Sequence, residues 1–355
     1  TFTYDANGKA LSTEHAGGVD KYSFDYTQYP NAVTITEPLG SQRTNTYQTI
    51  LGVARTKSTS QLCSSCGSTS SGNIEYDNNG NITGRVDFKG YRTNYTYDLT
   101  RNLETQRIEG LTSAGSSTFA TRTISTEWHS AWHLPKRIAE PLKITTYVYH
   151  GDNGVSCGAT GALCSKTEQP TTDTNGSLGF NATTTGIARI WSYTYNANGK
   201  ILTENGPRTD VTDVTTYTYY TDTTSTHRIG DLATIKNALG HITTINSYGS
   251  NGRPLSVTDP NNVVTTFTYT ARGKLKTVIQ NGTVQTTYSY DYAQQLTKIE
   301  LPDSRTYTYV YDDAHRLTSI TSITGEKLTY RLDNAGNRLS ETLADASGVV
   351  STQYR

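Results

Sequence analysis

Tyr248, Tyr269, Tyr290 and Tyr311 stand twenty-one residues apart, and Leu332 holds the next place in the series. Tyr76 and Tyr97 keep the same step far upstream. Asp follows the tyrosine in Tyr4-Asp5, Tyr76-Asp77, Tyr97-Asp98, Tyr290-Asp291 and Tyr311-Asp312. A glycine often comes soon after, as Gly8 and Gly80 do, and then a Leu or Ile, as in Gly273-Lys274-Leu275. A short fixed period constrains the fold more than any single residue does. One such unit cannot bury its apolar face alone, so copies must cover one another in a growing sheet or solenoid.

The content of one unit says which. Pro254-Leu255-Ser256-Val257-Thr258 alternates apolar and polar residues, the period of a strand. Asp259-Pro260-Asn261-Asn262 is a turn, with Pro fixing φ and Asp and Asn offering local hydrogen bonds. Val263 to Tyr269 alternates again, Ala271-Arg272-Gly273 turns the chain, and Leu275 opens the next strand. Each unit is therefore two strands and two tight turns. Tyr-x-Tyr pairs recur at Tyr95/Tyr97, Tyr193/Tyr195, Tyr288/Tyr290 and Tyr307/Tyr309, and a spacing of two places both rings on one face of a strand. Glu37-Pro38-Leu39-Gly40, Asn237-Ala238-Leu239-Gly240, Gln280-Asn281-Gly282 and Leu301-Pro302-Asp303-Ser304 sit midway between tyrosine positions as further turns, and Asn-Gly there is a strong hairpin signal.

Composition agrees with a sheet that keeps one side wet. The hydrophobic fraction is 34%, low for a globule, while 26 tyrosines supply strand-favouring aromatic bulk. The formal net charge is +0, which argues against a nucleic-acid partner, since such proteins carry a basic excess. No apolar run approaches the about 18 residues of a membrane-spanning helix, and no signal peptide is present. The chain begins at Thr1 inside a repeat and lacks Met, so it reads as a fragment of a longer protein. One continuous array over residues 1–355 is expected, cleanest over 231–340 and 72–104, with loop inserts near 61–72, 105–125 and 151–185. No segment shows a convincing helical stripe.

Tyr4-Asp5-Ala6-Asn7-Gly8-Lys9, Tyr76-Asp77-Asn78-Asn79-Gly80-Asn81, Tyr195-Asn196-Ala197-Asn198-Gly199-Lys200, Tyr311-Asp312-Asp313-Ala314-His315-Arg316 and Leu332-Asp333-Asn334-Ala335-Gly336-Asn337 together make the chain resemble the RHS or YD-repeat proteins. The resemblance covers essentially the whole length. It implies an all-β fold, a repetitive antiparallel hairpin sheet curling into part of a hollow barrel or cocoon. It also implies that Tyr76, Tyr97, Tyr195, Tyr248, Tyr269, Tyr290 and Tyr311 are the repeat-core aromatics. In bacterial members such a shell encloses a toxic C-terminal domain, and animal teneurins use a similar barrel for adhesion. The self-cleaving Asp-Pro-x-Gly-like motif of bacterial relatives is not found: Asp259-Pro260-Asn261-Asn262 lacks the glycine and sits in an ordinary turn.

The resemblance thus implies a non-catalytic shell segment of a bacterial protein, secreted or at the cell surface. Its partners are neighbouring YD repeats and an enclosed toxin or effector domain of the same polypeptide, together with other chains of a secretion or surface assembly, and no cofactor is called for. The alternative is an extracellular structural or adhesive repeat protein presenting its inserts to a partner. The four cysteines fall in the two most irregular inserts. In an exported protein Cys63, Cys66, Cys157 and Cys164 suggest disulfides, with Cys157 and Cys164 closing the neck of a Gly-rich loop. A zinc site built from all four thiolates, free thiols and a redox pair stay open beside that reading. His129 and His133 have a spacing that grips metal on a helix, but the segment reads as strand and loop, which favours two ordinary histidines. The Asp- and Asn-rich turns lack a full calcium ligand set.

Overall fold

A computed structural model describes residues 1–62, 69–348 and 350–354. The chain divides into two units, one made of Thr1–Tyr22 with Thr215–Arg355 and the other of Ser23–Val214. Each is an antiparallel meander. In the first, Ile242–Tyr248, Pro254–Thr258, Val264–Tyr269, Leu275–Gln280 and Val284–Tyr290 pair in chain order, and the pattern runs on through Leu296–Glu300, Thr306–Tyr311, Leu317–Ser322, Lys327–Leu332 and Arg338–Ala344 to Val350–Tyr354. In the second, consecutive strands pair from Ala32–Thr36 to Ile201–Asn205. Helix among the described residues is confined to the 3₁₀ turns Ala16–Gly18, Asp152–Gly154 and Gly179–Asn181. The all-β, antiparallel hairpin fold read from the period is the fold of the chain.

Alternation makes the two faces differ. Along Val264–Tyr269 the side chains of Phe267 and Tyr269 are half-buried, while Thr266 and Thr268 are exposed. On the exposed face threonines meet across strands: Thr268 and Thr277 hydroxyls lie 2.6 Å apart, as do those of Thr194 and Thr203. Tyrosine bulk on one side and hydroxyl pairs on the other let a chain with so little hydrophobic content hold a sheet together.

The segment expected as a loop insert at 151–185 contains the strand Leu163–Pro170, which pairs with Lys143–Tyr149 on one side and Arg189–Tyr195 on the other. Gly, Thr, Ser and Asn hide its alternation. After Pro170 the chain folds back over the sheet, where Ala139, Ile144 and Ala182 form a small core with Phe180 against it. The insert expected at 105–125 is shorter, because the strands Leu103–Leu111 and Arg122–Trp128 occupy both its ends. The strands Val53–Leu62 and Thr69–Tyr76 enter the insert expected at 61–72. Cys63 and Cys66 lie outside the described residues.

Candidate functional site

The recurring site is the five-residue loop that follows each repeat tyrosine. In Asp312–Arg316 the Asp312 amide donates to the Arg316 carbonyl and the His315 amide to the Asp312 carbonyl. The Asp312 Oδ1 then accepts the amides of Ala314 and Arg316 at 3.0 and 2.9 Å. The same two amide bonds reach Asp5, Asp77, Asn196, Asp259 and Asp333. This is why the word begins with Asp or Asn: one short acceptor side chain satisfies two turn amides that the ladder cannot reach. The fourth loop position takes positive φ, +82° at Gly80 and +67° at His315. Glycine adopts that conformation without strain and is the usual occupant.

Asp259-Pro260-Asn261-Asn262, which follows Thr258 midway between two repeat tyrosines, has the same loop geometry. Both of its Oδ1 bonds are 2.8 Å, and Asn262 stands in the positive-φ place. Its carboxylate is committed to the turn, as the sequence suggested.

Opposite the loop, Tyr269 faces Leu275, Tyr290 faces Leu296 and Tyr311 faces Leu317, with the register slipping by one residue just beyond each pair. That bulge re-aims the ring along the sheet. Its hydroxyl reaches the strand behind: Tyr269 donates to the Pro254 carbonyl, Tyr290 to Leu275 and Tyr311 to Leu296, each at 2.9 Å and fifteen residues back. Tyr248 donates to Leu232 and Tyr76 to Thr56. Tyr97 and Tyr195 are half-buried, and burial raises the hydroxyl pKa of both. Tyr149, which the sequence marks as half of the Tyr147/Tyr149 pair but not as a repeat-core aromatic, belongs to this set. It donates to the Pro135 carbonyl at 2.8 Å, and burial pushes its hydroxyl up to about 12. Trp128 substitutes for a tyrosine through its indole N–H, which donates to Glu104 at 2.7 Å.

Neighbouring loops are stitched together. Arg316 Nη1 donates to the Asp333 carbonyl, Arg272 Nη1 to Tyr292, and Asn79 Nδ2 to Leu99. Tyr290→Phe is expected to cost about 1 kcal/mol, one net hydrogen bond, measured by denaturant unfolding.

Burial raises the Asp312 carboxyl, but the Arg316 amide and guanidinium and the Ala314 amide outweigh it and leave the group below the ordinary carboxylate range. Its contribution is therefore complete above the unfolded value of about 4 and fades as pH falls through the lower folded value. Asp312→Ala is expected to cost about 1–2 kcal/mol at neutral pH. Asp312→Asn keeps the Oδ1 acceptor, as Asn196 and Asn237 do naturally. It should lose less and show a flatter melting profile at acid pH.

His129 is buried and both its nitrogens are engaged. Nδ1 accepts the amides of Ala131 and Trp132, and Nε2 meets Asp152 Oδ1 at 2.9 Å. The ring stacks on Trp132 at 4.2 Å, and the Tyr149 ring stands edge-on at 6.0 Å. Asp152 also accepts the Tyr149 amide, the main reason its carboxyl sits below the usual range. The imidazole is a structural knot with no free edge for general-base work. His133 is exposed and stands outside it. Among the described residues no three His, Cys, Asp or Glu side chains gather as metal ligands.

Cys157 and Cys164 form a disulfide and are both buried. The loop they close docks on the strand Arg189–Tyr195, where the Tyr195 amide donates to the Cys157 carbonyl at 2.6 Å. Its base is held by His150 Nδ1, which accepts the amides of Cys157 and Gly158.

Asp-tied loops, Tyr–Leu pairs across a bulge and hydroxyls reaching back one strand define a β-hairpin repeat protein. The RHS Repeat model matches residues 248–284, 290–327 and 311–350, and the repeats there are RHS repeats. Its fold is similar to that of TcdB2-TccC3-Cdc42, at a TM-score of 0.55 and 14% identity over 100% of this chain and 22% of that one. TcdB2-TccC3 without hypervariable C-terminal region is similar at 0.55 and 15%, over 100% and 22%. TcdB2-TccC3-TEV is similar at 0.56 and 16%, over 96% and 19%. The chain thus spans about a fifth of the length of the solved chains it matches. No curated protein matches it in sequence.

Proposed function

We propose that this chain is a length of wall in a bacterial RHS shell that encloses a toxin or effector carried on the same polypeptide, and that it has no catalytic role of its own. The observation that carries the reading is the repetition of one purely structural site from Asp5 to Asp333. Carboxylates that stand ready in an enzyme are here spent on turn amides and ion pairs, such as Glu75 with Arg92 and Glu127 with Arg137. The fold likeness to TcdB2-TccC3 supports the shell, and the name of one such structure specifies a hypervariable C-terminal region, the kind of segment a shell would hold. Export to the cell surface or medium fits the Cys157–Cys164 disulfide, a bond that persists in oxidising compartments. No helix among the described residues is long and apolar enough to cross a membrane.

Limited proteolysis of the full-length polypeptide tests this. The segment beyond the repeats should resist protease while the wall is folded and be cut once the wall is destabilised. Equal cleavage in both states would overturn the proposal.

A further inference from the structure

The sequence contains eight Asn-Gly pairs, and the fold gives them unequal chemistry. An Asn-Gly bond isomerises when the glycine amide nitrogen attacks the asparagine Cγ. A new N–Cγ bond forms, the Cγ–Nδ2 bond breaks, and Nδ2 leaves as ammonia carrying the glycine amide proton by way of solvent. Water then opens the five-membered imide at either carbonyl, giving aspartate or isoaspartate. The attack needs a glycine nitrogen free to approach the side chain.

Most of the pairs deny it that freedom. In the repeat loops the glycine amide is already donated: Gly8 to the Asp5 carbonyl, Gly80 to Asp77, Gly199 to Asn196 and Gly252 to Gly249, at 2.9 to 3.1 Å. Gly176 donates to Asp173 Oδ1 and is buried. Asn205 is half-buried at the end of the strand Ile201–Asn205.

Two pairs differ. Asn281-Gly282 forms the tip of the hairpin between Leu275–Gln280 and Val284–Tyr290, closed by the Thr283 amide on the Gln280 carbonyl. Every residue from Gln280 to Gln285 is exposed, and open space surrounds the Gly282 Cα. Asn153-Gly154 is likewise exposed, with the turn closed by the Val155 amide on Asp152. In both, the closing bond uses the residue after the glycine; the Gly282 amide donates to no described group, and Gly154 is held only within the short exposed 3₁₀ turn Asp152–Gly154. Both asparagines hold positive φ, +49° and +48°.

We propose that Asn153 and Asn281 are sites of spontaneous deamidation and isoaspartate formation in the folded protein, and that the repeat loops protect Asn7, Asn79, Asn198 and Asn251. At Asn153 the product places a new carboxylate beside Asp152, the residue that holds His129 and the Tyr149 amide. At Asn281 isoaspartate adds a methylene to a two-residue turn whose geometry sets the hairpin register.

The test is incubation of the intact chain at mildly alkaline pH, followed by peptide mapping that separates aspartate from isoaspartate. Conversion at Asn153 and Asn281 should run about five- to tenfold ahead of Asn79 and Asn198, the factor for releasing one hydrogen-bonded amide. Equal rates, or Asn79 and Asn198 in front, would overturn the assignment. In denaturant all eight should converge. A spread that persists there would trace the order to neighbouring side chains rather than to the fold, and would also overturn it.

Discussion

Gly176→Ala should destabilise the Ser23–Val214 unit by about 3–5 kcal/mol, the cost of forcing a methyl group into a space already filled by backbone. Gly176 is buried at φ +76°, and a Cβ there would lie 2.0 Å from the Thr123 carbonyl oxygen and 3.3 Å from Pro141 Cδ. Neither neighbour can retreat easily. Thr123 is itself tied to the turn, its amide donating to the Asn175 carbonyl at 2.8 Å. The turn is in turn pinned by Asp173, whose two carboxylate oxygens hold the amides of Gly176 and Leu178. Gly80→Ala in the same unit is the control. Its φ is +82°, but the nearest atoms to the new Cβ stand 3.7 Å away or farther. That variant should lose only the left-handed strain, about 1 kcal/mol. Denaturant midpoints of the two variants, compared side by side, separate the backbone clash from the φ penalty. Equal losses would show that the 171–184 cover is not fixed against Thr123.

Removing the Cys157–Cys164 bond, by reduction or by paired Cys157→Ser and Cys164→Ser substitution, should cost about 2–3 kcal/mol. The loop is short, with a separation of 7 residues, so the chain-entropy contribution is modest. The loss should nonetheless reach beyond the loop. The Cys157 carbonyl accepts the Tyr195 amide, so a freed loop exposes the end of the strand Arg189–Tyr195. Hydrogen exchange at Tyr195 should accelerate on reduction, while exchange in the strand Leu275–Gln280 stays unchanged. Unaltered exchange at Tyr195 would reduce the disulfide to a clasp on its own loop.

The repeat was legible because its determinants are side chains at fixed spacing. Tyrosines at alternate positions gave the faces, and Asp before Gly gave the loop. His315 and Gln294 take the glycine position at positive φ without hiding it, since Asp312 and Asp291 still announce the turn. The fold over 151–185 was not legible in the same way. Its cover is tied down by main-chain bonds, Leu142 amide to Asp173 carbonyl and Thr171 amide to Leu142 carbonyl, which leave no residue-type signature. The His129–Asp152 pair joins residues twenty-three apart across a broken period, so spacing carried no hint of it. His129 and His133 looked related only because they are close in sequence. Cys157 and Cys164 were recognisable as partners, but the docking of their loop on Tyr195 again depends on backbone atoms.

The reach of the Tyr269, Tyr290 and Tyr311 hydroxyls, fifteen residues back along the chain, bears on how such a protein is made. A hairpin leaving the ribosome is fastened when its own second strand has emerged and its tyrosine delivers the phenol to the carbonyl at the start of its first strand. Assembly therefore trails translation by less than one repeat and advances from the N-terminal end, each hairpin being secured before the next has fully emerged.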